Sequence, residues 1–198
     1  ATQTIVQQVE AMKAMVNAFS DYAKPSQIEL EPIELDVYVA GVTELYREAR
    51  PVVRLVANAN KTFVEADPVR LRQVLHNLVK NAQEAVLDQP DGLVSVCTST
   101  VAGPDARYAQ ITVEDNGPGF DDASIGRVFE PYVTTKSKGT GLGLAIVKKI
   151  VEEHGGQIGA DNLPEGGARV SVRLPACEDS QGVQATDSAP VLLEGDGR

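Results

Sequence analysis

Val113-Glu-Asp-Asn-Gly-Pro-Gly-Phe120 and Gly139-Thr-Gly-Leu-Gly143 bound the stretch on which the reading of this chain turns. Ile111 and Val113 lead as an apolar strand into a carboxylate and then into glycines, and a second glycine cluster further on opens a helix. That is the outline of a nucleotide site. Asp115 can accept a hydrogen bond from an exocyclic amine such as that of adenine, while Gly117 and Gly119 let the backbone pass close beneath a flat ring. Gly139, Gly141 and Gly143 stand where backbone N–H groups at a helix start meet phosphate oxygens. Between the clusters, Thr134-Thr-Lys-Ser-Lys138 is short, polar and basic, which suits a mobile lid over phosphates. Taken singly, either cluster also reads as an ordinary glycine turn.

A third segment decides between these readings. Residues 68–88 have the pattern of one helix, with Asp67 as N-cap and Pro68 at the first helical position. Leu71, Leu75, Leu78, Ala82 and Ala85 recur at helical spacing as its core stripe. Asn77 and Asn81 stack on a single face about 100° round from that stripe, with Glu84 beside them. Asparagine is a poor helix former, so two of them at this spacing need a reason. Neutral carboxamide oxygens on the edge of a buried face suit Mg²⁺, a hard cation commonly shared with phosphates and water.

Together these motifs carry a family resemblance. Asn77-Leu-Val-Lys-Asn81-Ala, Asp115-Asn-Gly-Pro-Gly119, Phe129-Glu-Pro-Tyr132 and Gly139-Thr-Gly-Leu-Gly-Leu144 resemble the N, G1, F and G2 boxes of the catalytic, ATP-binding domain of sensor histidine kinases. Gly166-Gly-Ala168 resembles the final glycine box, and the match spans residues 28–175. The resemblance implies an α/β fold, a two-layer sandwich in which one mixed, mostly antiparallel sheet carries helices on one face and ATP lies between helices and lid. It assigns Asn81 to Mg²⁺, Asn77 and Lys80 to the phosphates and catalysis, and Asp115 to the adenine amine. Gly117, Gly119, Gly139, Gly141, Leu142 and Gly143 shape the site, and Lys136, Lys138 and Thr140 lie over the phosphates. Phe129 and Tyr132 are expected to pack the lid against the catalytic domain or its helical partner; the family commonly has phenylalanine where Tyr132 stands.

The same resemblance implies a reaction. ATPase relatives carry a glutamate one turn before the Mg²⁺-binding asparagine, but here that position is Asn77, and an amide cannot act as a general base. Hydrolysis is therefore expected to be slow, leaving the γ-phosphoryl group for a histidine on a dimerisation domain, with relay to a response regulator. His76 and His154, the two histidines of the chain, both lie in contexts that suit structural roles. The phosphoacceptor is thus expected outside this chain, which should bind ATP without autophosphorylating alone. The short lid and the Lys24-Pro25 break resemble the nitrogen-regulation type of sensor kinase. A serine kinase of the anti-sigma-factor type shares the fold and the N box, but the N-terminal helix and Phe129-Glu-Pro weigh against it. A degenerate nucleotide-binding docking module is opposed by the intact Asp115, Asn81 and glycines.

The rest of the chain fits around this domain. Ile5, Val9, Met12, Val16, Phe19 and Ala23 form a heptad seam over residues 1–24. Such a seam either packs on its own domain or, as the resemblance suggests, ends the second helix of a dimerisation and phosphotransfer domain, followed by a linker at 25–27. Strands are expected at 27–30, 52–57, 62–66, 93–101, 108–114, 157–160 and 168–174, with helices at 35–50 and 141–154. The second and third of those strands flank an Asn-Ala-Asn turn. Residues 176–198 are acidic and aperiodic, the composition of a disordered tail. A net charge of −10 argues against nucleic-acid or anionic-membrane partners. Cys97 and Cys177 read as free thiols of a reducing compartment, and no apolar run has membrane-span length. A cytoplasmic domain is expected, tied to a membrane only through segments outside this sequence.

Overall fold

The structure, a computed structural model, describes residues 9, 12, 13, 16, 20, 27–103, 106–136 and 139–177. The expected acidic tail from residue 178, Lys138, the tip of the turn at Pro104-Asp105 and most of the N-terminal seam lie outside them. Of that seam, Val9, Met12 and Val16 are helical and exposed.

Seven strands form one sheet among the described residues: β1 (Glu31–Glu34), β2 (Val52–Val56), β3 (Phe63–Ala66), β4 (Leu93–Ala102), β5 (Arg107–Asp115), β6 (Gln157–Asn162) and β7 (Ala168–Cys177). Their order is β1-β3-β7-β5-β4-β2, with β6 also on β7, and the β2–β4 pair alone is parallel. Three helices, α1 (Leu35–Thr43), α2 (Pro68–Ala85) and α3 (Gly143–Glu153), cover the sheet. The expected α/β sandwich with a mostly antiparallel sheet is the architecture observed.

Alternation along the central strands creates the covered face. Val94, Val96 and Thr98 of β4 face the same way as Ala109, Ile111 and Val113 of β5 and Val170, Val172 and Leu174 of β7, and all nine are buried. Asp115 continues the inward series of β5 and is 8 % exposed. A carboxylate therefore takes what the strand's period makes a core position, below the start of the glycine loop. Onto this face α2 lays Leu71, Val74, Leu75, Leu78 and Val79, and α3 lays Ile146, Val147, Ile150 and Val151. The two helices also pack on each other.

Several boundaries differ from those the sequence suggests. The first strand is at 31–34 rather than 27–30, because β3 pairs Val64 with Ile33 and Leu35 N donates to Thr62 O, which buries Ile33 and Leu35 and leaves Leu30 exposed. Pro32 is tolerated there on an edge strand. The helix expected through residue 50 gives way after Thr43 to a 3₁₀ turn at Glu44–Tyr46, leaving Leu45 74 % exposed instead of inward. Thr43 Oγ1 bonds back to Val39 O and Ala40 O, and Gly41 weakens the same turn. Although β2 and β3 are neighbours in sequence, they sit on opposite sides of the sheet and not across a tight turn from each other. The last strand continues past Pro175 to Cys177, where it pairs with Phe63, so Ala176 and Cys177 belong to the sheet rather than to a tail.

The N-terminus of α2 is as expected: the Asp67 carboxylate accepts from Val69 N at 2.9 Å and Arg70 N at 3.1 Å. Burial opposes ionisation of Asp67, but the N–H groups of Arg70, Glu29 and Val69, with the nearby His154, bring its pKa below the ordinary 3.8. A depressed pKa stabilises the fold above the unfolded value, and that contribution is lost as pH falls through the folded one. Asp67→Ala should cost about 1–2 kcal/mol in chemical denaturation at neutral pH. The deficit should shrink as the titration is repeated at pH values below about 3.8. A pH-independent deficit would show that the charge of the cap contributes nothing.

Candidate functional site

Three loops and two helix ends meet over the Asp115 end of the sheet. Asp115 Oδ1 accepts from Gly117 N at 2.9 Å and from Ala168 N at 3.4 Å, so the carboxylate is oriented by the loop that follows it and by the start of β7. Burial pushes its pKa up, offset in part by those two N–H groups and by the charge of Lys136. Both donors fall on Oδ1, which directs Oδ2 away from them. Gly117 packs on α2, where a Cβ would stand 3.1 Å from Ala85 O. The floor of the candidate adenine pocket is therefore backbone and a single acceptor.

Asn77 and Asn81, one turn apart on α2, lie beside the start of α3. A Cβ at Gly143 would lie 3.6 Å from Asn81 Nδ2 and 3.9 Å from Asn77 Oδ1, ordinary contact distances that place both carboxamides beside the helix end. Among the described residues no side-chain hydrogen bond caps α3, and its N-cap Leu142 is fully buried. The first N–H groups of this eleven-residue helix have no intrahelical partner and combine with the dipole into an anion-accepting end. Among the described residues, no cluster of three His, Cys, Asp or Glu side chains is placed to hold a metal. The donors beside the helix end are instead neutral amide oxygens, a set that fits Mg²⁺ shared with phosphates.

The segment between the glycine clusters is held at both ends. Gly141 has a φ of +67°, and a Cβ there would meet Tyr132 C at 2.6 Å. Its carbonyl accepts from Tyr132 N at 2.9 Å. Tyr132 itself has a φ of +66° and is 60 % exposed, while Phe129 packs on the core. Of the two aromatics expected to pack this segment, Phe129 packs against the buried core, whereas Tyr132 is largely exposed. Lys136 Nζ lies 2.6 Å from Glu84 Oε2 and donates to Asn81 O at 3.4 Å. Lys80 Nζ is 4.0 Å from Glu84 Oε1. Thr140 Oγ1 accepts from Leu142 N at 3.3 Å, and Gly139 N donates to Lys136 O at 3.1 Å.

The geometry adds residues that sequence reasoning passed over. Asn162, at the end of β6, accepts from Phe120 N at 2.7 Å and donates to Phe120 O at 2.8 Å. Gly119, at a φ of +80°, lies against it. In sequence Asn162 precedes Leu-Pro-Glu-Gly-Gly and looks like any turn asparagine. Asn116 ties the loop to the other side, accepting from Leu93 N at 2.8 Å and donating to Asp91 O at 2.9 Å. Both histidines make hydrogen bonds, His76 at an exposed position. His154 Nε2 accepts from Asp67 N at 3.0 Å, which leaves Nδ1 as donor to Ile150 O at 2.7 Å. His76 Nδ1 bonds Tyr46 Oη at 2.6 Å.

Comparison with known proteins identifies the family and the fold. Residues 66–178 match the family described as histidine kinase-, DNA gyrase B- and HSP90-like ATPase. The sensor histidine kinase ZraS of Escherichia coli O157:H7 is 34 % identical over 177 residues, covering 87 % of this chain and 37 % of ZraS. The nitrogen regulation protein NtrY of Azorhizobium caulinodans is 37 % identical over 182 residues, covering 88 % of this chain and 23 % of NtrY. The chain thus spans well under half the length of these relatives. Among solved structures, the catalytic domain of histidine kinase ThkA superposes with a TM-score of 0.63 at 30 % identity, covering 74 % of this chain and 95 % of that one. ThkA in complex with the response regulator protein TrrA gives 0.72 at 26 % identity, over 88 % of this chain and 50 % of that one.

Proposed function

The chain belongs to the histidine kinase-, DNA gyrase B- and HSP90-like ATPase family as an ATP-binding domain of the histidine kinase type, and from that membership we propose that it catalyses transfer of the γ-phosphoryl group of Mg-ATP to a histidine on a dimerisation domain, for relay to a response regulator. The observation that carries this is the uncapped start of α3 at Gly143 facing Asn77 and Asn81, with an amide where a hydrolytic enzyme needs a base. Asp115 Oδ2 accepts from the adenine amine, while Gly117 and Gly119 leave room for the ring. Backbone N–H groups at 139–143 take the phosphates, and Lys80, Lys136 and Lys138 offset their charge. Asn81 would hold Mg²⁺, with Asn77 beside it, and the bound ion would draw charge off the phosphates. The histidine nucleophile comes from outside the described residues, since His76 and His154 are both engaged in structural hydrogen bonds. The domain works in the cytoplasm, and no helix among the described residues is long and apolar enough to cross a membrane.

The direct test incubates the chain with γ-labelled Mg-ATP, with and without a separately prepared histidine-bearing dimerisation domain, following free phosphate and protein-bound label together. Acid-labile label on the added domain, little free phosphate and no label on this chain are expected. Free phosphate without protein label would make the chain an ATPase and overturn the role given to Asn77. A second measurement isolates the metal. Asn81→Ala should bind ATP like the parent without Mg²⁺ but lose at least about ten-fold in the gain that Mg²⁺ brings. An unchanged Mg²⁺ response in calorimetry would place the ligand elsewhere.

A further inference from the structure

Glu84 is the one acidic side chain among the described residues that meets both candidate phosphate-binding lysines whose positions are known. Its Oε2 lies 2.6 Å from Lys136 Nζ and its Oε1 4.0 Å from Lys80 Nζ. We propose that Glu84 sets the nucleotide affinity of the site by occupying these ammonium groups in the nucleotide-free chain, so that an incoming phosphate chain must displace it. This rests on the nucleotide-site reading above.

The arrangement is not one that helix stability would select. Within α2, Lys80 precedes Glu84 by four residues, the weaker orientation for an ion pair along a helix. Lys136 reaches Glu84 from a segment 52 residues away and is anchored a second time on Asn81 O, one turn before Glu84. The pair therefore draws Lys136 onto the helix that carries both asparagines. It does so beside an amide pair that has no charge of its own and a helix end that attracts anions. A polyphosphate arriving there brings more negative charge than a single carboxylate and takes the lysines from it. Adenosine, without phosphates, leaves Glu84 and Lys136 together.

Because Glu84 and Lys136 are both about 40 % exposed, the pair is screened and its effect is modest. Glu84→Gln should bind ATP about two- to five-fold tighter than the parent chain by calorimetry at low salt, and adenosine with unchanged affinity. The gain should shrink as salt is raised. In a Lys136→Met background, which itself weakens ATP binding, Glu84→Gln should tighten ATP binding clearly less, since the closer of the two ammonium groups that Glu84 occupies is gone and the more distant Lys80 alone remains. Glu84→Asp, which keeps the charge, should behave nearly as the parent.

Unchanged or weaker ATP binding by Glu84→Gln, with adenosine unaffected, overturns the displacement. Weakening of both ligands assigns Glu84 a structural role, and equal tightening with Lys136→Met reduces it to simple repulsion; either result rejects the proposal. A parent chain that binds neither ATP nor adenosine overturns the nucleotide-site reading itself, an outcome visible before any variant is compared.

Discussion

Asp115→Asn is expected to bind ATP at least about a hundred-fold more weakly than the parent chain while melting at the same temperature or higher. The size of the loss follows from how the side chain is held. Gly117 N and Ala168 N both donate to Oδ1, so an asparagine at this position must turn its oxygen toward them. Its NH₂ then takes the place of Oδ2 and faces the adenine amine, donor against donor. A lost charged hydrogen bond and a buried donor without an acceptor together amount to about 3–5 kcal/mol. The stability prediction has the opposite sign. Burial raises the pKa of Asp115, so its ionised form is disfavoured by folding, and whatever stability it contributes below the ordinary 3.8 is lost as pH rises through the folded value. At neutral pH the buried carboxylate therefore comes at some expense of stability, which the neutral amide relieves. ATP binding by the parent should accordingly weaken as pH falls through the folded pKa of Asp115, which burial holds above the ordinary 3.8. Calorimetry with ATP and a thermal melt on the same preparation check both halves. Near-parental affinity for ATP would remove Asp115 from the adenine site.

Gly167→Ala is expected to be the most destabilising small substitution in the site. Gly167 has a φ of +99°, and a Cβ there would overlap the Asp115 carbonyl oxygen and press on Asn116 Cα at 3.1 Å. Neither neighbour is the end of a flexible chain; both are backbone at the point where β5 becomes the glycine loop. Close approach here is also what lets Ala168 N reach the Asp115 carboxylate. The substitution should cost more than about 3 kcal/mol and lower the melting temperature by roughly 10 °C. ATP affinity should fall with it. Two neighbouring glycines separate the causes. Gly166 has a φ of +96° with open space around its Cβ, so Gly166→Ala should cost only the left-handed strain of about 1–2 kcal/mol. Gly159 in β6 has neither a positive φ nor a neighbour within 4 Å, and Gly159→Ala should be close to neutral. Equal losses for Gly166→Ala and Gly167→Ala would show that backbone strain, and not the collision with Asp115, governs this turn.

What the sequence by itself determined are the features that reside in local pattern. Helical period and an N-cap placed α2 and set Asn77 and Asn81 on one face, and glycine spacing marked both ends of the site. Alternation led β5 into Asp115, and ordered motifs, read as a resemblance, implied the family and the sandwich. Boundaries that depend on a partner were not legible in that way. The alternation of residues 27–30 is as good as that of 31–34, and pairing with β3 chose between them. Helical pattern ran on through Leu45, but Thr43 bonding back to its own turn ended the helix. Adjacency in sequence suggested β2 and β3 as neighbours, and the sheet put them on opposite sides. Only the tertiary structure brought Asn162 to the backbone of Phe120, Gly167 against Asp115, and Lys136 onto Glu84. Each of these joins residues about 40 or more positions apart through a pair of hydrogen bonds, one absent Cβ or one ion pair, and such contacts leave no period in the chain for a local pattern to reveal.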